Sequence, residues 1–203
     1  MNKPLQKRSQ ATRAKLTDAA QKAVLSKGFA SMRVEDVVQE AGVAKGTFFA
    51  HFQDKEVLMD LLIGREIETF LDAFEELPPP DSLDELVNRL IPLMNFMTSE
   101  RYVFDVILRH SGAAAKEEIG PIALTFEHQL VVFTRWLTEK PFRKDVSPLI
   151  LAEGIQAFTV QCMGLQFCAI NREEPMQDRL MQYLTAWLIA PSNPVSVIGA
   201  QKG

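Results

Sequence analysis

The polar side chains near residue 50 are of types that bind nucleic acid. Lys45, Thr47 and His51 supply an ammonium, a hydroxyl and an imidazole within one short stretch, and such groups hydrogen-bond to phosphate oxygens and to base edges. Arg33 precedes this stretch and Lys55 follows it, so both are placed to meet phosphates on either side. The spacing therefore predicts a surface that binds a polyanion.

The distribution of charge along the chain supports the same interpretation. Residues 1–55 contain ten Lys or Arg against five Asp or Glu, whereas residues 56–203 contain 12 against 21. The overall net charge of -4 hides this division. A cationic segment is typical of a polyanion-binding surface, and an acidic remainder keeps the rest of the protein away from phosphates.

The elements that must hold these side chains are predicted to be two short helices joined by a tight turn. Gly42 can adopt the positive φ that such a turn requires. The apolar residues between Val34 and Phe52 can converge on a longer preceding helix, which leaves Lys45 and Thr47 on the outer side. This pattern predicts a helix-turn-helix, with Lys45 and Thr47 as candidates to contact base edges in the major groove.

The rest of the chain is predicted to be helical too, because Gly and Pro separate blocks with helical periodicity and no sustained strand pattern appears. We therefore expect an all-α fold. The predicted helices cover residues 9–27, 34–41, 44–51, 55–76, 82–97, 100–111, 121–139, 148–170 and 175–189. Residues 1–8 are expected to be a basic arm, and residues 191–203, with two prolines, a flexible tail.

The block 148–170 carries two apolar stripes, one bulky and one of small residues, so both faces are expected to be covered. The bulky stripe suits the core of the chain itself, and the small stripe suits a helix of a symmetry mate. The alternative is that both stripes are buried within a monomer. The predicted dimer interface comprises Gly154, Ala157, Gln161, Gly164 and Cys168 together with Leu180, Tyr183 and Trp187.

The same block is long enough to span a bilayer, but its glutamines and Glu153 make insertion costly. We therefore interpret it as a buried helix and expect no membrane association. Residues 1–8 lack the apolar run of a secretory signal, which predicts a cytoplasmic protein. Cys162 and Cys168 match no metal or redox motif and are expected to be buried free thiols.

The motif between residues 9 and 60 resembles that of the TetR-type (TetR/AcrR) family of helix-turn-helix transcription regulators. The residues that carry the resemblance are Gly28-Phe29, Val37, Ala41-Gly42-Val43, Lys45-Gly46-Thr47, His51-Phe52 and Lys55-Glu56. The resemblance implies a DNA-binding domain over residues 1–55 and a helical effector-binding and dimerisation domain over residues 56–190. The DNA contacts are expected from Arg33, Lys45, Gly46, Thr47, Phe49, His51 and Lys55.

Three positions depart from the family pattern. Phe49 stands where a tyrosine hydroxyl usually touches a phosphate, so that contact should be missing. Val38 replaces a usual alanine, which should set the two short helices slightly further apart. Ala44 replaces a serine that often caps the recognition helix, at a cost of about 1 kcal/mol.

The resemblance also implies an apolar effector pocket in the body, expected near Met97, Phe104, Leu108, Phe126, His128 and Phe158. For His128 the alternative is a surface or hydrogen-bonded core position. The predicted function is a homodimeric repressor that binds a palindromic double-stranded DNA operator and is released by an apolar small molecule. The alternative is a constitutive or partner-controlled DNA-binding dimer. No cofactor, metal or catalytic constellation is indicated, so we do not expect an enzyme.

Overall fold

The computed structural model describes residues 3–111, 119–138, 141–168 and 173–190, with side chains from residue 6 onwards. The expected all-α fold is confirmed, and no strand occurs in these residues. The predicted tail, residues 191–203, lies outside the described residues. The helices are α1 (Lys3–Lys27), α2 (Val34–Ala41), α3 (Lys45–Phe49), α4 (Lys55–Glu76), α5 (Leu83–Met97), α6 (Arg101–His110), α7 (Pro121–Leu137), α8 (Pro148–Gln166) and α9 (Met176–Leu188).

The first three helices form a compact head in which two short helices pack on α1. Leu16 and Ala20 of α1 are fully buried, as are Val37 of α2 and Phe48 of α3. Helices as short as α2 and α3 are not stable alone in water, so this shared apolar centre is what holds them in place.

Helix α1 begins at Lys3 and not at residue 9 as predicted, so most of the segment expected to be a basic arm is helical. Residues 5 to 8 are Leu, Gln, Lys and Arg, all good helix formers, and Pro4 lies in the first turn, where proline is tolerated. Residues 6–10 are exposed, so this extension has no apolar periodicity for sequence analysis to detect.

The remaining helices, α4 to α9, form the body of the protein. Within it, α4 packs along α7, and α7 packs on α8. A Cβ atom added to Gly64 of α4 would lie 2.7 Å from Pro121 Cβ, so the absence of a side chain lets the two helices approach closely. The backbone N–H of Ile122 donates a 3.0 Å hydrogen bond to Asp60 Oδ1. The buried carboxylate of Asp60 therefore satisfies an N–H group in the first turn of α7 that has no partner within the helix.

Helix α8 is long and apolar enough to cross a membrane by length and composition, and about a third of its most apolar window is buried within the protomer. Leu151, Ile155 and Cys162, from the predicted bulky stripe, are buried. On the opposite side, Ile150 is 48% exposed, and Ala157 and Gln161 are also exposed. The predicted burial therefore holds for one face of this helix within the protomer, and the other face is open.

Part of the predicted dimer interface lies instead between α8 and α9 of one protomer. Leu180 is fully buried in the protomer, so its assignment to the dimer surface is wrong. Gly154 faces Trp187, whose indole nitrogen would lie 2.1 Å from an added Cβ. The same indole N–H donates a hydrogen bond to the Leu151 carbonyl. The small residue at position 154 thus makes room for a neighbouring helix of the same chain.

The remaining predicted interface residues are less deeply placed. Tyr183, Gly164 and Cys168 are half-buried, and a Cβ on Gly164 would come 3.9 Å from Phe104. Neither cysteine forms a disulfide bond. Burial raises the pKa of the Cys162 thiol to about 11, which makes that thiol a poor nucleophile at neutral pH.

Candidate nucleic-acid interface

The turn between α2 and α3 has the geometry that the sequence predicts. Gly42 ends α2 with φ of 61°, a left-handed conformation that favours glycine. At the start of α2, the backbone N–H of Arg33 donates a 3.0 Å hydrogen bond to Asp36 Oδ2. Ala44 precedes α3 without a side-chain cap, as its residue type requires. The two short helices are therefore fixed by backbone geometry and by packing on α1.

The outer surface of α3 presents most of the predicted DNA-contacting residues. Lys45 and Gly46 are exposed, and Phe49 is 49% exposed although it is apolar. Thr47 and His51 are half-buried at the edge of the same surface. Gly46 has no atom within 4 Å of the position that a Cβ would take. A partner could therefore approach the backbone of α3 closely at this point.

Lys45 is paired in the free protein. Its Nζ lies 2.5 Å from Glu35 Oε1 in the first turn of α2, and both side chains are largely exposed. The hydrogen bond from the Lys45 ammonium holds the pKa of Glu35 below its usual value. This ion pair joins α3, the predicted recognition helix, to α2. The pair must be weakened before Lys45 can contact an anion elsewhere.

Arg13 of α1 braces the end of the recognition helix, a role that sequence analysis missed. Its guanidinium donates a hydrogen bond to the carbonyl of His51 and lies 4.2 Å from the centre of the Phe52 ring. The two contacts join α1 to the segment after α3 across 38 residues. The signal available in the sequence was a basic residue three positions before Leu16, the first buried apolar residue of α1, and this alone does not identify a partner.

Lys55 does not project outward as expected for a phosphate contact. Its ammonium donates hydrogen bonds of 3.3 Å to the carbonyls of Phe29 and Ala30 and lies 4.8 Å from the centre of the Tyr102 ring. Burial lowers the pKa of Lys55, and the negative charge of Glu100 opposes that effect. In this structure Lys55 therefore stabilises the turn between α1 and α2 by binding its carbonyl groups.

Glu100, a residue of the body, binds the backbone N–H groups of the same turn. Its carboxylate accepts hydrogen bonds from the backbone N–H groups of Phe29, at 2.7 Å, and Ala30, at 2.9 Å. Gly28, with φ of 82°, approaches the carboxylate so closely that an added Cβ would lie 2.8 Å from it. We call Glu100, Lys55 and the turn at residues 28–30 the latch. It fixes the head to the residue that precedes α6.

The residues predicted to line an effector pocket do not enclose one. Met97 and Phe126 border an internal cavity of about 10 Å³, which is too small for an organic molecule. Leu108 is 41% exposed, so it does not face the core. Phe104 stacks on Phe167 at 5.5 Å. Phe158 packs on Tyr183 at 5.2 Å and on Trp187 at 5.9 Å, which directs it towards α9.

His128 faces α4 and does not line that cavity, which corrects its assignment as a ligand contact. Its Nδ1 lies 2.9 Å from Glu68 Oε1 and its Nε2 lies 3.0 Å from Glu75 Oε1. Burial lowers the pKa of His128, but the hydrogen bonds to Glu75 and Glu68 outweigh burial and raise it above 6.5. The hydrogen-bonded alternative considered for this histidine is the one that the structure supports.

Among the described residues, Glu68, Asp72 and His128 form a group that could hold a metal ion, with ligand atoms within 4.8 Å of one another. Both imidazole nitrogens are engaged by carboxylates, and a metal would have to displace one of them. The arrangement is accounted for as an ion-pair cluster that joins α4 to α7.

Comparison with known proteins agrees with this geometry. Residues 16–62 match the family model described as bacterial regulatory proteins, tetR family. The chain is 25% identical over 148 residues to the uncharacterized HTH-type transcriptional regulator YvdT of Bacillus subtilis (strain 168), which covers 70% of this chain and 71% of that protein.

Two solved structures share the fold along nearly the whole chain. SmeT, the repressor of the Stenotrophomonas maltophilia multidrug efflux pump SmeDEF, has a TM-score of 0.58 at 17% identity and covers 96% of this chain and 99% of its own. Thermus thermophilus FadR, a TetR-family transcriptional repressor in complex with lauroyl-CoA, has a TM-score of 0.62 at 15% identity and covers 94% and 100%. Residues 16–62, which contain the helix-turn-helix, therefore match the DNA-binding segment of the tetR family, and the chain as a whole is similar to HTH-type transcription regulators of that family.

Proposed function

We propose that the protein is a homodimeric repressor that binds a palindromic operator through two copies of α3. The observation that supports this proposal most directly is the exposed outer surface of α3, where Lys45 and bare backbone at Gly46 lie on the cationic part of the chain. One such head contacts few phosphates. Two linked heads gain from effective concentration and can read half-sites about 34 to 36 Å apart.

The open face of α8 supports the dimer. Ile150, Ala157 and Gln161 recur at helical spacing and are exposed in the protomer. The face also carries the exposed Glu153, so it is mixed, but exposed apolar side chains such as Ile150 are typical of a surface that a second subunit covers. Half-buried Tyr183 on α9 extends the same side of the protein. The proposed interface is therefore Ile150, Ala157 and Gln161 with the adjoining edge of α9.

We propose that an apolar small molecule releases the repressor from DNA. FadR of Thermus thermophilus was solved with lauroyl-CoA, which is consistent with effector binding in a protein of this fold. A ligand that favours one position of α4 over another would change the separation of the two heads. The latch would transmit a movement of α4 to the head, because Lys55 is the first residue of α4 and Glu100 immediately precedes α6.

A second candidate function is a constitutive or partner-controlled DNA-binding dimer without a small-molecule effector. The cavity of about 10 Å³ in the body core favours it, because no organic ligand fits there without rearrangement. In both versions the protein acts as a regulator and not as an enzyme, and we expect it to work in the cytoplasm without membrane association.

The test is selection of bound fragments from a genomic DNA pool, followed by affinity measurements on the enriched sequence. We expect salt-sensitive binding to a two-fold symmetric site. Lys45→Ala and Thr47→Ala should weaken binding to that site more than binding to random DNA, because base contacts carry sequence preference. No enrichment and no salt-sensitive retention on any duplex would overturn the proposal.

A further inference from the structure

A groove of about 670 Å³ lies between the head and the body. One wall comes from the last turns of α1 and from Phe29 in the turn that follows, and the other comes from α4 and the end of α5. This volume falls within the range of about 300–1,000 Å³ that is usual for small-molecule sites. The lining residues are Gln21, Val24, Leu25, Phe29, Leu62, Arg65, Glu66, Glu68, Thr69, Asp72 and Phe96.

The floor of the groove is apolar and partly uncovered. Leu25 lines the groove and is 83% exposed, which is unusual for a large aliphatic side chain. The Phe29 and Phe96 rings contact each other edge to face at 6.2 Å and join the head to the body. A ligand with an apolar part would bury this surface and contact both parts at once.

The edge of the groove on α4 is acidic. Glu66, Glu68 and Asp72 lie there with Arg65 as the one cationic residue among those lining the groove. Glu68 is partly neutralised by His128 at 2.9 Å. Within the described part of the chain Glu66 forms no ion pair, and Asp72 forms none at 4.0 Å or less, although it lies within 4.8 Å of His128. His128 offsets the charge of Glu68, and Arg65 offsets one further carboxylate, so this edge keeps an excess of negative charge. The rings of Phe29 and Phe96 lie in the same groove. Negative charge next to aromatic rings favours the binding of a cation.

We propose that this groove binds a lipophilic organic cation. The apolar floor takes the hydrophobic part of the molecule, and the carboxylates of Glu66 and Asp72 attract its charge. The groove is separate from the small cavity in the body core, since the two share no lining residue. Because its walls belong to the head and the body, occupancy favours one relative position of the two.

The binding test uses isothermal titration calorimetry on the full chain with tetraphenylphosphonium and tetraphenylborate, which have nearly the same size and shape but opposite charge. We expect saturable binding of the phosphonium ion, at least about tenfold tighter than that of the borate. Equal affinity for the two ions, or tighter binding of the borate, would overturn the proposal.

Substitutions then locate the site. Asp72→Asn and Glu66→Gln should each weaken phosphonium binding by about threefold or more. Leu25→Ala should weaken both ions similarly by removing apolar surface, and its exposed position makes loss of folding unexpected. Glu76→Gln is the matched control, because Glu76 is an exposed carboxylate on the same helix outside the groove. Unchanged affinity in all three groove variants would place the ligand elsewhere and overturn the assignment.

The effect on DNA binding rests on the proposed function and is measured separately. Saturating phosphonium is expected to weaken operator binding by about fivefold or more, and the Asp72→Asn variant should need more ligand for the same effect. If the protein bound phosphonium in the groove but bound no DNA, the proposed function would fail and the ligand site would stand. If it bound DNA but no phosphonium, the ligand site would fail alone.

Discussion

Gly46 combines exposure, a helical position and open space around its Cα. Glycine is unfavourable in a helix by up to about 1 kcal/mol relative to alanine. Its presence here is explained if DNA approaches the backbone at this position. Gly46→Ala is therefore expected to leave the free energy of unfolding unchanged or to raise it, while it lowers operator affinity by about tenfold. Urea unfolding and fluorescence anisotropy measure the two effects, and a variant that kept full affinity would contradict this role.

Glu35 competes with DNA for Lys45. Glu35→Gln removes the ion pair at 2.5 Å and a negative charge beside the recognition helix. Operator affinity should rise by about twofold to fivefold at low salt, a change in the range of exposed ion pairs, and the gain should shrink as salt increases. Glu40→Gln is the matched control, since Glu40 lies on α2 like Glu35 but pairs with Lys22 of α1 and not with α3. An equal or larger gain in the control would show that the effect comes from net charge and not from the ion pair with Lys45.

At the scale of single residues, sequence analysis identified the exposed surface of α3 but not the partners of its side chains. Lys45, Gly46 and Phe49 are exposed as their spacing indicates. Lys55 was expected to contact phosphate, yet its ammonium binds carbonyls 25 and 26 residues away. Helical periodicity predicts which side of a helix faces the core, but it carries no information on contacts between distant segments.

Among the helices, α4 and α7 are joined by a histidine that is sensitive to pH. Hydrogen bonds to Glu75 and Glu68 raise the pKa of His128 above 6.5 despite burial. A raised pKa stabilises the fold below the pKa of the unfolded chain, and this stabilisation is lost as pH rises through the folded value. The difference in unfolding free energy between wild type and His128→Gln should therefore be larger at pH 6 than at pH 9. Glu76→Gln should show no such change, and an equal difference at both pH values would contradict the ion pairs.

The start of α6 holds the turn between α1 and α2 through Glu100. Glu100→Gln keeps one acceptor oxygen but removes the charge that strengthens the hydrogen bonds from Phe29 and Ala30. We expect the free energy of unfolding to fall by about 1 to 2 kcal/mol. Glu127→Gln, at an exposed position on α7, should change it by less than about 0.5 kcal/mol. Hydrogen exchange should also accelerate at the amides of Phe29 and Ala30, and unchanged protection there would contradict the latch.

The helices themselves were largely predictable, because glycine and proline mark most of their ends. The predicted ranges 34–41, 55–76 and 82–97 agree with α2, α4 and α5 to within one residue. The start of α1 was missed because residues 6–10 are exposed and carry no apolar periodicity. The small-residue stripe of α8 was misinterpreted in part, since Gly154 serves Trp187 of the same chain. Sequence periodicity does not distinguish a neighbour within the chain from one in a second copy.

For the whole molecule, the open face of α8 predicts how assembly is disrupted. Ala157→Arg places a long cation in the middle of the proposed interface and should convert the dimer to a monomer in analytical ultracentrifugation. Operator affinity should then fall by about 100-fold, because the two heads are no longer linked. Ala73→Arg, at an exposed site on α4, should leave both unchanged. A dimeric Ala157→Arg protein with full affinity would rule out this face as the interface.

The latch limits how far this regulator can be treated as interchangeable modules. A chimera that joined residues 1–55 to the body of another regulator would carry the amides of Phe29 and Ala30 without the carboxylate that accepts their hydrogen bonds. It would also deprive the Lys55 ammonium of the Tyr102 ring and the nearby negative charge. Such a hybrid should recover full function only if the recipient scaffold supplied an acidic residue where Glu100 lies and an aromatic residue two positions later.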